Sequence, residues 1–73
     1  MFEEVAKILA EQLGISPSEI KPESDILKEL GADSLDVAEL LMTLEENTGK
    51  TIPEEKVTGL KTVGDVVKMI ETL

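Results

Sequence analysis

Apolar residues recur at helical spacing in three stretches of this chain, and each stretch is bounded by signals that start or stop a helix. Phe2, Val5, Ala6, Leu9 and Leu13 share one helix face, with Ile8 at its edge, and Gly14 stands where a C′ residue would end it. Val37, Leu40, Leu41, Leu44 and Thr48 form a second stripe. Asp33 is placed to cap its start, Asp36 adds favourable negative charge in its first turn, and Gly49 closes it. Val63, Val66, Val67, Ile70 and Leu73 form a third, behind a Thr62 cap with Asp65 at N3. No stretch alternates apolar and polar residues as a half-buried strand would. The pattern predicts an all-α fold, a small bundle of three main helices plus one short helix. The short one starts with Pro53 at N1 and is cut off by Gly59.

Between the first and second helices lies a long loop, residues 15–32, interrupted by Pro17 and Pro22. Ser16, Pro17, Ser18 and Glu19 have the form of a capping box with Pro at N1, so one short helical turn is expected there. Ile15, Ile20, Ile26, Leu27 and Leu30 are expected to pin the loop onto the bundle. Long loops in compact domains are uncommon and are often functional.

At 73 residues the chain is read as one domain, 1–73, too small to enclose a deep active site. It has no His, Cys, Trp, Tyr or Arg. Nucleophilic catalysis near neutral pH most often needs His as base or Cys as nucleophile, and zinc and iron–sulfur sites draw on the same two residues. Composition therefore argues against an enzyme and against a soft-metal site, and it rules out intrachain disulfides. Sixteen acids against seven lysines give a net charge of −9. Such a surface repels nucleic acid and anionic membranes and steers toward basic partners. No apolar run is long enough for a membrane span, and the acidic opening Met1-Phe2-Glu3-Glu4 resembles neither a signal nor a transit peptide. A cytoplasmic monomer is expected, with the processed form of an organellar precursor left open.

At about 100° per residue the second helix carries more than its core stripe. Asp36, Glu39, Thr43 and Glu46 lie opposite the core, and Leu35, Ala38 and Met42 form a second apolar strip between the two, with Glu45 on its boundary. Such a strip can simply widen the buried face. Its acidic rim favours the other reading, an apolar contact strip whose charges guide approach, with an adaptable Met within it. Between Lys28 and Lys50 there are six acids and no base, whereas a merely solvated face would carry interspersed lysines.

Ser34 follows Leu30-Gly31-Ala32-Asp33 at the start of this helix. A serine in that place is usually a cap, and without His it has no partner for catalysis. A third option is modification by another enzyme: a phosphate ester there would sit at a helix N-terminus, and Gly31 and Ala32 leave room for approach.

Leu30-Gly31-Ala32-Asp33-Ser34-Leu35 resembles the phosphopantetheine attachment motif of acyl carrier proteins, centred on Asp-Ser-Leu. The resemblance extends through Ala10–Gly14, Leu44-Glu45-Glu46, Ile52-Pro53 and Thr62–Asp65, in order and across the chain. It implies that Ser34 accepts the 4′-phosphopantetheine of coenzyme A from a magnesium-dependent phosphopantetheinyl transferase. Acyl groups would ride on its thiol as thioesters, for delivery to acyl-transfer and fatty acid synthesis enzymes with basic docking patches. The docking role would fall on Asp33, Leu35, Asp36, Ala38, Glu39, Met42, Glu45 and Glu46. Leu44, Ile52, Val57 and Leu60 would line a space for the acyl chain.

Asn47-Thr48-Gly49-Lys50 departs from the acid-aromatic continuation frequent in that family, Ala38 is small for its place, and the third-helix segment carries Lys56. These differences bear on which enzymes are served. A carrier for a specialised polyketide or lipid pathway, or an aminoacyl or peptidyl carrier, is the alternative. The residue before Asp33 being Ala rather than Gly, and the acid cluster, favour acyl cargo. From another class, an unmodified acidic docking module would need the second helix but not Ser34. No calcium-binding loop is present, though clustered acids are expected to hold divalent cations loosely.

Overall fold

The computed structural model describes all 73 residues. Helix α1 spans Phe2–Leu13, α2 Ser34–Thr48, α3 Glu54–Val57 and α4 Val63–Glu71, with one 3-10 turn at Pro17–Glu19. The all-α expectation and its element order hold. Gly14 ends α1 in the left-handed region at φ 71°, its N–H donating to the Ala10 carbonyl. Gly49 ends α2 the same way at φ 72°. A side chain at either place would cost steric strain, which is why glycine stops these helices. Ser16 and Glu19 form the expected capping box, and Thr62 and Asp65 form another at the start of α4. Pro53 stands one place earlier than expected, at the N-cap of α3 rather than at N1.

The core is made where α1 meets α2 and α4. Val5, Leu9, Leu40, Leu44, Val63, Val66 and Ile70 are completely buried there, and Ile20 and Ile26 reach in from the long loop. No buried side-chain polar atom lacks a hydrogen-bond partner. Three expectations need correction. Leu73 is exposed because α4 stops at Glu71, so the last residue leaves the helical stripe, and Met69 is buried instead. Ala10, absent from the expected α1 face, is buried. Leu27, expected to anchor the loop, is 49% exposed.

The long loop is held by its own hydrogen bonds. Asp25 caps a turn, its carboxylate accepting the Lys28 N–H at 2.8 Å while Glu29 reaches back to the Asp25 N–H at 3.0 Å. The loop is also stitched to the approach to α4: Ile26 N–H donates to Lys61 O (3.0 Å), Val63 N–H to Ser24 O (3.1 Å) and Gly64 N–H to Pro22 O (2.7 Å). Gly64 permits that last approach, since a Cβ there would lie 3.0 Å from the Pro22 carbonyl oxygen. This stitching fixes the segment that leads into Ser34.

Candidate functional site

Helix α2 begins with a reciprocal cap. The Asp36 N–H donates to Asp33 Oδ1 and the Asp33 N–H donates to Asp36 Oδ2, both at 3.0 Å. Asp33 is thus the N-cap and Ser34 is the first helical residue. The ordinary job of a serine at a helix start is taken by its neighbour, and the Ser34 side chain is left exposed. Asp36 does more than add charge, because Gln12 Nε2 of α1 donates to its carbonyl oxygen at 2.6 Å. That tie holds the first turn of α2 against α1. Behind Ser34, Gly31 takes φ 74° and Ala32 is buried, so the chain turns sharply into the cap with little bulk near the hydroxyl.

Beside Ser34 runs an apolar groove of about 500 Å³. Ser34 lies on its wall, together with Val37, Leu41 and Met42 of α2, Leu27 of the loop, and Val57 and Leu60 from the α3 segment. Glu54 is its single charged lining residue. Its volume falls within the roughly 300–1,000 Å³ typical of small-ligand pockets. Of the four residues suggested for acyl lining, Val57 and Leu60 are there. Leu44 is not, being fully buried in the core, and half-buried Ile52 packs against the core as well. Leu27, Val37, Ala38, Leu41 and Met42 were missed as lining residues, Ala38 and Met42 having been expected only in the outer strip. Leu27 had one available signal, an apolar residue next to charged Lys28 and Glu29 with no periodic partner.

The outer face of α2 carries the expected strip. Leu35 is 73% exposed, Met42 62% exposed, and Ala38 between them is exposed as well. They are therefore not an extension of the core stripe. Glu39 and Glu46 are exposed, Asp36 and Glu45 half-buried. Glu45 is engaged within the fold, accepting the Ile52 N–H at 2.7 Å. Thr48, in a core-stripe place, turns its hydroxyl back to the Leu44 carbonyl at 2.7 Å, which satisfies it without a deep partner. No three acidic side chains gather closely enough to hold a metal ion.

The sequence model of the phosphopantetheine attachment site family matches residues 3–70. An acyl carrier protein of Helicobacter pylori (strain G27) is 49% identical over 71 residues, covering 97% of this chain and 91% of that protein. The chain belongs to the acyl carrier proteins. Similar relatives of the same name occur in Wolinella succinogenes, 49% identical over 99% of this chain and 95% of that one, and in a Sulfurovum species, 45% identical over 100% and 97%. A solved structure from Mycobacterium tuberculosis, assigned to the acyl carrier proteins, superposes with a TM-score of 0.87 at 26% identity, covering 99% of this chain and 97% of that one. An acyl carrier protein carries its cargo on covalent 4′-phosphopantetheine and is not itself an enzyme. Its partners as a family are phosphopantetheinyl transferase and enzymes that handle acyl groups. No helix of this carrier is long and apolar enough to cross a membrane.

Proposed function

We propose that residues 1–73 form one carrier domain, that Ser34 is the attachment residue for 4′-phosphopantetheine, and that the loaded carrier delivers acyl groups to enzymes of fatty acid biosynthesis in the cytoplasm. The observation that carries the reading is the Asp33–Asp36 capping box, which leaves an exposed serine hydroxyl at the first position of α2, beside an apolar groove. The residues fit the group. A phosphodiester on Ser34 would lie at the positive end of α2, where the helix dipole favours an anion. The arm's thiol supplies the thioester that holds the acyl chain. With no His in the chain, the base and the magnesium for loading come from the transferase. The groove gives a short acyl chain apolar walls from Leu27, Val57 and Leu60.

Docking is assigned to the outer face of α2. Leu35, Ala38 and Met42 form the apolar centre, and Asp33, Asp36, Glu39, Glu45 and Glu46 the acidic rim for partners with basic patches. The test is reconstitution. Loaded with phosphopantetheine, the chain is expected to accept a malonyl group from malonyl-coenzyme A in the presence of a malonyl transferase and then to support fatty acid elongation. Ser34→Ala is expected to accept none. Malonyl transfer without elongation would point to a different acyl pathway, and transfer to Ser34→Ala would exclude Ser34.

A further inference from the structure

Glu45 takes part in two arrangements at once. It lies half-buried at the edge of the outer apolar strip of α2, among the acids assigned to meet basic partners. Its carboxylate also accepts the Ile52 N–H, seven residues on, at 2.7 Å. That bond fixes the linker entering α3, and α3 has no buried residue of its own. The segment is held to the core chiefly by half-buried Val57 and Leu60, which are also its wall of the groove beside Ser34. Its far end is fixed separately by the bond from Ile26 N–H to Lys61 O at 3.0 Å. A second fastener holds the linker: Lys50 Nζ donates to the Ile70 carbonyl at 3.1 Å.

We propose that Glu45 is a latch, coupling the docking of a basic partner to the position of α3 and so to the width of the groove beside Ser34. The inference rests on the reading of α2 as the docking face. A carboxylate bonds a cation more strongly than it bonds a neutral amide, so a partner lysine or arginine competes with Ile52 for Glu45. Drawing the carboxylate outward leaves the Ile52 N–H to water. The Lys50 fastener is a cation bound to a carbonyl, and a basic partner repels it instead of replacing its acceptor. Docking therefore releases one tie and leaves the other, so α3 shifts while its linker stays attached. An element with so little buried surface belongs to the part of a fold that opens most easily. Glu45 acts here as a positioning residue through Ile52, without touching the cargo.

Amide hydrogen exchange on the full chain tests this. In the free protein, Glu45→Ala is expected to speed exchange at Ile52 about ten-fold and to raise it across residues 54–60, with α1 and α4 unchanged. Glu45→Gln retains an acceptor oxygen and is expected to keep Ile52 near its wild-type rate. Saturating phosphopantetheinyl transferase without coenzyme A is expected to speed Ile52 exchange about ten-fold in the wild type and to leave it unchanged in Glu45→Gln. Unchanged or slower Ile52 exchange in the wild-type complex would overturn the latch, as would a Glu45→Ala variant whose residues 54–60 exchange normally. Adding coenzyme A to the same mixture separates the two readings. If no phosphopantetheine is added, the Ser34 assignment fails, while Ile52 exchange in the complex formed without coenzyme A still decides the latch.

Discussion

Asp33 and Ser34 are adjacent in sequence and divided in duty. Asp33 stabilises the helix, while Ser34 contributes nothing to the cap and its side chain is left exposed. Their substitutions should therefore separate. Asp33→Ala is expected to lower stability by about 1 kcal/mol, the usual cost of losing an N-cap. Ser34→Ala is expected to stay within about 0.5 kcal/mol of wild type, as for an exposed side chain with no structural task. Urea unfolding of the two variants checks this, and a Ser34→Ala loss as large as that of Asp33→Ala would return the serine to a capping role. Asp65 gives a pH dependence. Its carboxyl is held below the ordinary value of 3.8, first by the backbone N–H of Thr62, then by that of Lys61, with Lys68 adding positive charge nearby. A folded pKa below the unfolded one means the bonds stabilise the fold above the ordinary carboxylate range and are lost as pH falls through the folded value. Asp65→Asn should therefore cost stability at neutral pH and flatten the acid side of the stability profile, as read from urea midpoints across a pH series.

The elements were legible where a local signal decides them. Glycine stops, capping boxes and the spacing of Leu40, Leu41 and Leu44 fix α1, α2 and α4 without help from distant residues. The exposed apolar strip of α2 was legible for the same reason, because a helix wheel needs only the sequence of α2. What sequence could not give was the result of packing. Whether Leu27 lines the groove depends on where α3 lies, and Leu44, expected beside the groove, is fully buried away from it. The Glu45 to Ile52 bond joins two elements and leaves no pattern in either. Nor did Gly64 stand out, since its role comes from a loop folded back against it. Gly64→Ala is expected to destabilise by about 1–3 kcal/mol, because its new Cβ would meet backbone oxygen rather than a side chain able to move. A thermal melt compared with that of Gly14→Ala would separate crowding from backbone strain, as Gly14 has open space around it and a left-handed φ.

Over the whole molecule the surplus of acid has two opposite consequences. A net charge of −9 on 73 residues repels itself, so added salt should raise the melting temperature by screening that repulsion. The same screening should slow association with a basic transferase while changing dissociation much less. Stopped-flow binding across a salt series would reveal both trends, and an association rate indifferent to salt would contradict the docking role given to α2. Under the proposed latch, the fold supports delivery by dividing the chain into a firm part and a yielding one. The stitched loop, α1 and the first turn of α2 hold Ser34 in place, while α3 forms the wall of the groove with the least buried surface. The claim on which the account depends is the attachment at Ser34. The most direct measurement is the intact mass of the purified chain after incubation with coenzyme A, magnesium and a broad-specificity phosphopantetheinyl transferase, beside Ser34→Ala. The account predicts a gain of one phosphopantetheine on the wild type and none on the variant. A folded wild type that gains nothing from an active transferase, or a variant that gains the same mass, would contradict it.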